Sequence, residues 1–99
     1  MAKTTAQTDD VAAVERYLHE EAGLDHLRSR SRADLVVIES GPAKDPIPHA
    51  RLRRAGKSLW RLEMATHTGR WEKTPIAGAL EEVLQTLVQD FGWALTPVE

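Results

Sequence analysis

Between His49 and Met64 the sequence alternates with period two on both sides of a glycine-bearing turn. Ala50 and Leu52 alternate with Arg51 and Arg53, and Trp60, Leu62 and Met64 alternate with Arg61 and Glu63. Successive side chains of a strand point to opposite faces, so this pattern reads as an antiparallel hairpin with one apolar and one charged face, turning at Ala55-Gly56-Lys57. The apolar face needs a cover, and that need governs how the remaining segments are read.

Two amphipathic segments can supply the cover. Val11, Val14, Leu18 and Ala22 recur at steps of three and four, with Tyr17 alongside, which predicts a helix from about Asp10. Thr8, Asp9 and Asp10 are placed as its N-cap. Gly23 is placed to close it in the left-handed conformation, with Leu24 folding back. Leu80, Val83, Leu84, Leu87, Val88 and Phe91 line one face of a second helix, expected from Ala77 to Phe91 and stopped by Gly92. Trp93 and Leu95 are expected to fold back under its end.

Leu35 to Glu39 is a β-branched run bounded by Ser40-Gly41-Pro42 and reads as a strand. Leu35 to Ile38 are all apolar, so periodicity does not say which face is buried; cover on both sides would hint at an oligomer interface. Gly41 to Pro48 holds three prolines and reads as a loop. Arg70 to Thr74 reads as a short strand after a turn at His67-Thr68-Gly69, with Trp71 and Lys73 on one side and Glu72 on the other. Asp25 to Ala33 has no apolar period and reads as a basic connector. The expected fold is α+β, ordered α-β-β-β(-β)-α: a three- or four-stranded antiparallel sheet with two helices packed on one face. Residues 1–8 are expected to be a disordered tail and residues 9–99 one domain, since 99 residues suffice for one core only.

The absence of cysteine points to a cytoplasmic protein, because a secreted domain this small usually needs disulfides. The start of the chain lacks the apolar run of a secretion signal, and Leu35 to Ile38 falls far short of a membrane span. The net charge of −2 conceals a pattern: residues 1–27 sum to −4, residues 28–73 to +6 and the remainder to −4. Such a chain can present opposed local fields.

The basic middle carries the candidate site. Arg51, Arg53, Arg54, Lys57, Leu59 and Arg61 are the candidate interaction face, with Leu59 as an apolar centre in a charged rim. Arg28, Arg30 and Arg32 form a secondary basic connector. Trp60 alternates with Leu62 and Met64 and is expected in the core.

No catalytic constellation emerges. His19, His26, His49 and His67 lack the spacing of a helical metal pair, so neither metal nor cofactor is expected. Gly56-Lys57-Ser58 lacks the upstream glycine and following helix of a phosphate loop. Ser40 and Ser58 are the serines near turns, with no assigned base. Glu20-Glu21 and Glu81-Glu82 are adjacent on helices and point apart, as solvated residues do.

Two resemblances bear on these expectations. The first helix, the Val36-Val37-Ile38-Glu39-Ser40-Gly41-Pro42-Ala43 string and the following strands resemble a double-stranded-RNA-binding domain from Asp10 to about Leu87. That family grips phosphates with a lysine-rich cluster opening its second helix. Here the corresponding segment, Thr74 to Leu87, is acidic, and Asp45 to Pro48 interrupts the usual loop-to-strand junction. The chain is also similar to a family of small uncharacterised bacterial proteins with a leading helix, a tryptophan-bearing meander and an acidic closing helix. The matching residues are Ala50-Arg51, Leu59 to Leu62, Arg70-Trp71, Leu80 to Leu84 and Asp90-Phe91-Gly92. The expected function is that of a non-enzymatic interaction module, binding a partner protein or a second copy through the open sheet face or the proline-rich loop. The alternative is a nucleic-acid-binding domain using the same arginines.

Overall fold

The computed structural model describes residues 8–42, 44–66 and 70–95. Helix α1 (Thr8–Arg16) continues into a π-helical stretch (Tyr17–Glu21). Strands β1 (Arg28–Arg32), β2 (Leu35–Ser40), β3 (Ile47–Arg54), β4 (Trp60–Ala65) and β5 (Trp71–Gly78) follow, then α2 (Leu80–Asp90) and a 3-10 turn (Gly92–Leu95). The strands form one antiparallel sheet in the order β1-β2-β3-β4-β5. The α+β class is the expected one. The sheet has five strands rather than three or four.

The additional strand comes from the segment read as a basic connector. Arg28 to Arg32 alternates arginine with serine, so it has the period of a strand without the apolar residues that usually reveal one. The inward position holds a small residue because α1 lies against it. Ser29 Oγ donates to the Val11 carbonyl at 2.8 Å, and the Ser29 N–H donates to Glu15 Oε1 at 2.9 Å. The two-residue turn joining β1 to β2, Ala33-Asp34, contains no glycine, although Ala33 has φ of +54°.

One face of the sheet carries the core. Val36 and Ile38 of β2, Ala50 and Leu52 of β3, and Trp60, Leu62 and Met64 of β4 are buried with Val14 and Leu18 on one side and Val83, Leu84 and Leu87 on the other. Fully burying each such aliphatic side chain contributes about 1.5–3 kcal/mol, which is why the two helical stripes converge on this face. Trp60 is in the core, as its alternation implies.

The helix ends show why local signals succeed or fail. Gly23 has φ of +68°, the Leu24 N–H donates to the Leu18 carbonyl at 2.8 Å, and Leu24 packs on the core, so this terminus follows the sequence reading. At the other end of α1, Asp10 forms an ion pair with Arg54 at 3.4 Å. Helix α2 begins at Leu80 rather than Ala77, because Ala77 and Gly78 complete β5 opposite Arg61 and Trp60. The Ala79 N–H donates to Glu82 Oε1 at 3.2 Å; alanine has no side-chain acceptor, so this is half of a capping box. Leu95 is buried beneath the helix end, but Trp93 is 73% exposed and contacts Phe91 from outside.

The proline-rich segment is shorter as a loop than expected. Ile47 and Pro48 join β3, opposite Ser40 and Glu39, where the register with β2 shifts and His49 is the extra residue. A bulge is where a strand tolerates proline. The expected tail at residues 1–8 lies outside the described residues except for Thr8, the first residue of α1. The expected turn at His67-Thr68-Gly69 lies outside them entirely.

Candidate interaction face

The strand registers place most of the basic residues of the chain on the sheet face opposite the core. One cross-sheet row reads Arg32, Leu35, Arg53, Arg61, Ala77; the next reads Arg30, Val37, Arg51, Glu63, Lys73. A third begins Arg28, Glu39, Pro48, and Ala65 and Trp71 pair farther along. Arg28, Arg30 and Arg32 therefore share one surface with Arg51, Arg53 and Arg61, because β1 is a strand of the sheet and not a connector. No described helix covers this face; both pack on the other side.

Three residues of the expected site lie elsewhere. Arg54 turns toward the core side, where it pairs with Asp10, lies 5.6 Å from the Trp60 ring centroid and donates to the Lys57 and Gly56 carbonyls at 2.8 and 3.3 Å. Lys57 and Leu59 belong to the β3–β4 turn, closed by the Ala55 N–H donating to the Leu59 carbonyl at 2.8 Å. Leu59 is exposed there, at the end of the sheet rather than between the arginines. The larger apolar residues between the arginines of the face are Leu35, Val37 and Trp71.

Two glutamates organise the arginines. Glu63, expected on the surface, is 3% exposed and accepts from Arg51 Nε and, at 3.1 Å, from Arg53 Nε. Glu39 is 5% exposed, accepts from Arg30 Nε at 2.9 Å and lies 3.3 Å from Arg28 Nη2. Each buried carboxylate thus holds two cations, the arrangement that compensates its desolvation. Burial works against the charged form of Glu63, but hydrogen bonds from Arg53 and Arg51, with the charges behind them, outweigh it and hold the carboxyl below its ordinary pKa. Arg53 is held above its ordinary value, chiefly by the hydrogen bond to Glu63 against the opposing effect of burial, with Asp34 adding a contact at 3.2 Å.

This layer explains why Leu35 to Ile38 is apolar at every position. Val36 and Ile38 enter the core, whereas Val37 is buried between Arg30 and Arg51, its neighbours on either strand, whose aliphatic stems can cover it. Across β4, the Arg51 guanidinium lies over the Trp71 ring, 4.4 Å from its centroid. A groove of about 460 Å³ runs between Arg30, Arg32, Val37, Arg51 and Trp71. A smaller cavity of about 270 Å³ lies toward β5, between Arg53, Arg61, Lys73 and Thr74.

Sequence reasoning missed the buried role of Glu39 and Glu63 and the place of Lys73 in the site. Lys73 shares its parity with Trp71, and that was its one available signal.

Two positions on the sheet edges do not offer a free N–H to an added strand. The Ser29 N–H of β1, directed away from β2, is taken by Glu15, and Pro75 in β5 has no N–H to donate.

The described histidines are engaged in structure. His19 Nε2–H donates to the Leu27 carbonyl and His26 Nε2–H to the Leu95 carbonyl, each at 2.6 Å. His49 Nε2 shares a hydrogen bond with Ser40 Oγ at 2.7 Å, both residues being buried. Among the described residues no group of three or more His, Cys, Asp or Glu is placed to hold a metal, and no helix is long and apolar enough to cross a membrane. Comparison of the chain with protein-family models, with curated proteins and with solved structures finds no match in any of the three.

Proposed function

We propose that this protein is a non-enzymatic, cytoplasmic interaction module that engages a partner protein through the open face of its sheet. The observation that carries this reading is the cross-sheet layer itself. Arginines from β1 and β3 are held over the buried Glu39 and Glu63, with Arg61 of β4 beside them in the same row as Arg53, around Leu35, Val37 and Trp71. Arginine and tryptophan are the side chains most enriched where interfaces concentrate their binding energy, and fixing guanidinium groups beforehand lowers the entropy cost of binding.

A photocrosslinking residue placed at Arg32 or Arg61 tests the reading in the cells that make the protein, with Gln85 on α2 as the control position. Crosslinks to a discrete protein from the sheet positions and not from Gln85 are expected. Crosslinks arising only from Gln85 would overturn the assignment. Light scattering shows whether the partner is a second copy.

The nucleic-acid reading draws on the same cations, now joined by Arg28, Arg30 and Arg32 on one face. Against it, Glu39 and Glu63 occupy four of the arginines, and Arg51 covers the ring of Trp71 that a base would stack on. Binding of labelled duplexes and single strands that collapses between about 50 and 200 mM salt would favour it.

A further inference from the structure

The register of β4 with β5 shifts between Arg61 and Glu63. Arg61 pairs with Ala77 and Glu63 with Lys73, so Leu62 faces the whole stretch from Thr74 to Ile76. Such irregularities recur beside binding sites because they open a ladder and re-aim its side chains. The cavity of about 270 Å³ lies here, lined by Arg53, Arg61, Glu63 and Lys73 together with Leu62 and Thr74. We propose that this cavity receives a glutamate or aspartate side chain from an acidic segment of a partner protein, an inference that rests on the sheet face being a protein-binding surface.

Three observations support the acidic side chain. The first is unspent charge. Arg53 is satisfied by Glu63 and Asp34, whereas among the described residues no carboxylate pairs with Arg61 or Lys73. The second is a local conflict: Arg53 and Arg61 stand directly opposite each other on adjacent strands, an arrangement of like charges that destabilises a sheet and that a bound anion relieves. The third is size. The cavity is smaller than the roughly 300–1,000 Å³ of small-molecule sites, which suits one side chain and not a cofactor. Glu63 in its wall suits a single negative charge better than a doubly charged phosphate.

The test is a titration of the isotope-labelled full chain with an end-blocked hexaglutamate peptide at low salt, read by amide shifts, with a six-nucleotide single-stranded DNA as the comparison. Saturable shifts centred on Arg61, Lys73 and Thr74 are expected. Binding should weaken at least about tenfold in the Arg61→Gln, Lys73→Gln double variant and change little in Arg32→Gln, since charge-assisted hydrogen bonds are the strong ones. Both substituted side chains are exposed, so the fold should persist. Shifts centred on β1 and insensitive to the double variant would overturn the cavity assignment while leaving the face as a binding surface. Tighter binding of the oligonucleotide, lost in the double variant, would overturn the acidic segment in favour of phosphate. Absence of shifts anywhere on the face would also overturn the inference, and the crosslinking result would then decide the wider reading separately.

Discussion

Arg51 bridges two groups that come from neighbouring strands: its guanidinium lies 4.4 Å from the Trp71 ring centroid while its Nε donates to buried Glu63. The cation is thereby fixed in plane and height above the sheet. A lysine at position 51 could neutralise Glu63 but could not stack and donate in the same way. A double-mutant cycle with Arg51→Lys and Trp71→Leu should give a coupling of about 0.5–1 kcal/mol in urea unfolding, as expected for a partly exposed cation–π contact. Additivity of the two substitutions would show that the stack does not stabilise the fold.

Glu63 should make stability depend on pH in one direction. Its folded pKa lies below the ordinary carboxyl value of 4.5, so the unfolded chain takes up its proton first as pH falls. The contribution is complete above the ordinary value and is lost as pH drops below it through the folded value. Unfolding midpoints measured across acidic pH should therefore fall more steeply for the native chain than for Glu63→Gln. The variant itself should be less stable at neutral pH, because two arginines lose their charged partner.

Ala33 adopts φ of +54° in the turn between β1 and β2. A β-carbon in the left-handed region costs roughly 1–2 kcal/mol, partly recovered by the lower entropy of the unfolded alanine chain. Ala33→Gly should raise stability by about 0.5–1 kcal/mol in chemical denaturation. Unchanged or lower stability would mean that the turn carries no strain.

Ser40 and His49 meet in the interior at the bulge between β2 and β3. Removing the hydroxyl leaves His49 Nε2 without that partner in a buried position, a change that costs about 1–3 kcal/mol. Ser40→Ala should show this loss in unfolding while leaving peptide titrations of the open face unaltered. Reduced peptide binding at unchanged stability would instead tie Ser40 to the site.

The parts of the fold that were legible in the sequence are those where side chains alone set the outcome. The stripe from Leu80 to Phe91, the alternation around Ala50–Leu52 and Trp60–Met64, and the closing Gly23-Leu24 each have one physical reading, and the structure follows it. Strand β1 was not legible, because pattern analysis recognises a strand by apolar residues. In β1 the inward position is serine hydrogen-bonded to α1, and its turn lacks the glycine that usually marks a hairpin. The start of α2 was misplaced for a related reason: Ala77 and Gly78 are small enough to suit either a first helical turn or a strand end, and pairing with β4 decides between them.

The candidate face was legible as parity, which put Arg51, Arg53 and Arg61 together. Its inner structure was not. A glutamate alternating with arginines reads as one more surface charge, and nothing in the sequence reveals that Glu39 and Glu63 sink between pairs of guanidinium groups. Arg54 escaped for the converse reason, since its parity sends it to the core side, where Asp10 and Trp60 receive it.

The meander also sets the order in which this molecule can assemble. Every strand pairs with its immediate neighbour in sequence across connections of two to six residues, so the sheet forms without closing any long loop. A sheet paired only between sequence neighbours keeps its contacts more local than one with crossovers, which favours faster folding. The distant closure is between the ends, where His26 reaches the Leu95 carbonyl across 69 residues, and it can follow once the sheet exists. The arginine layer is built from neighbouring strands, so it can be complete before the two helices close over the opposite side.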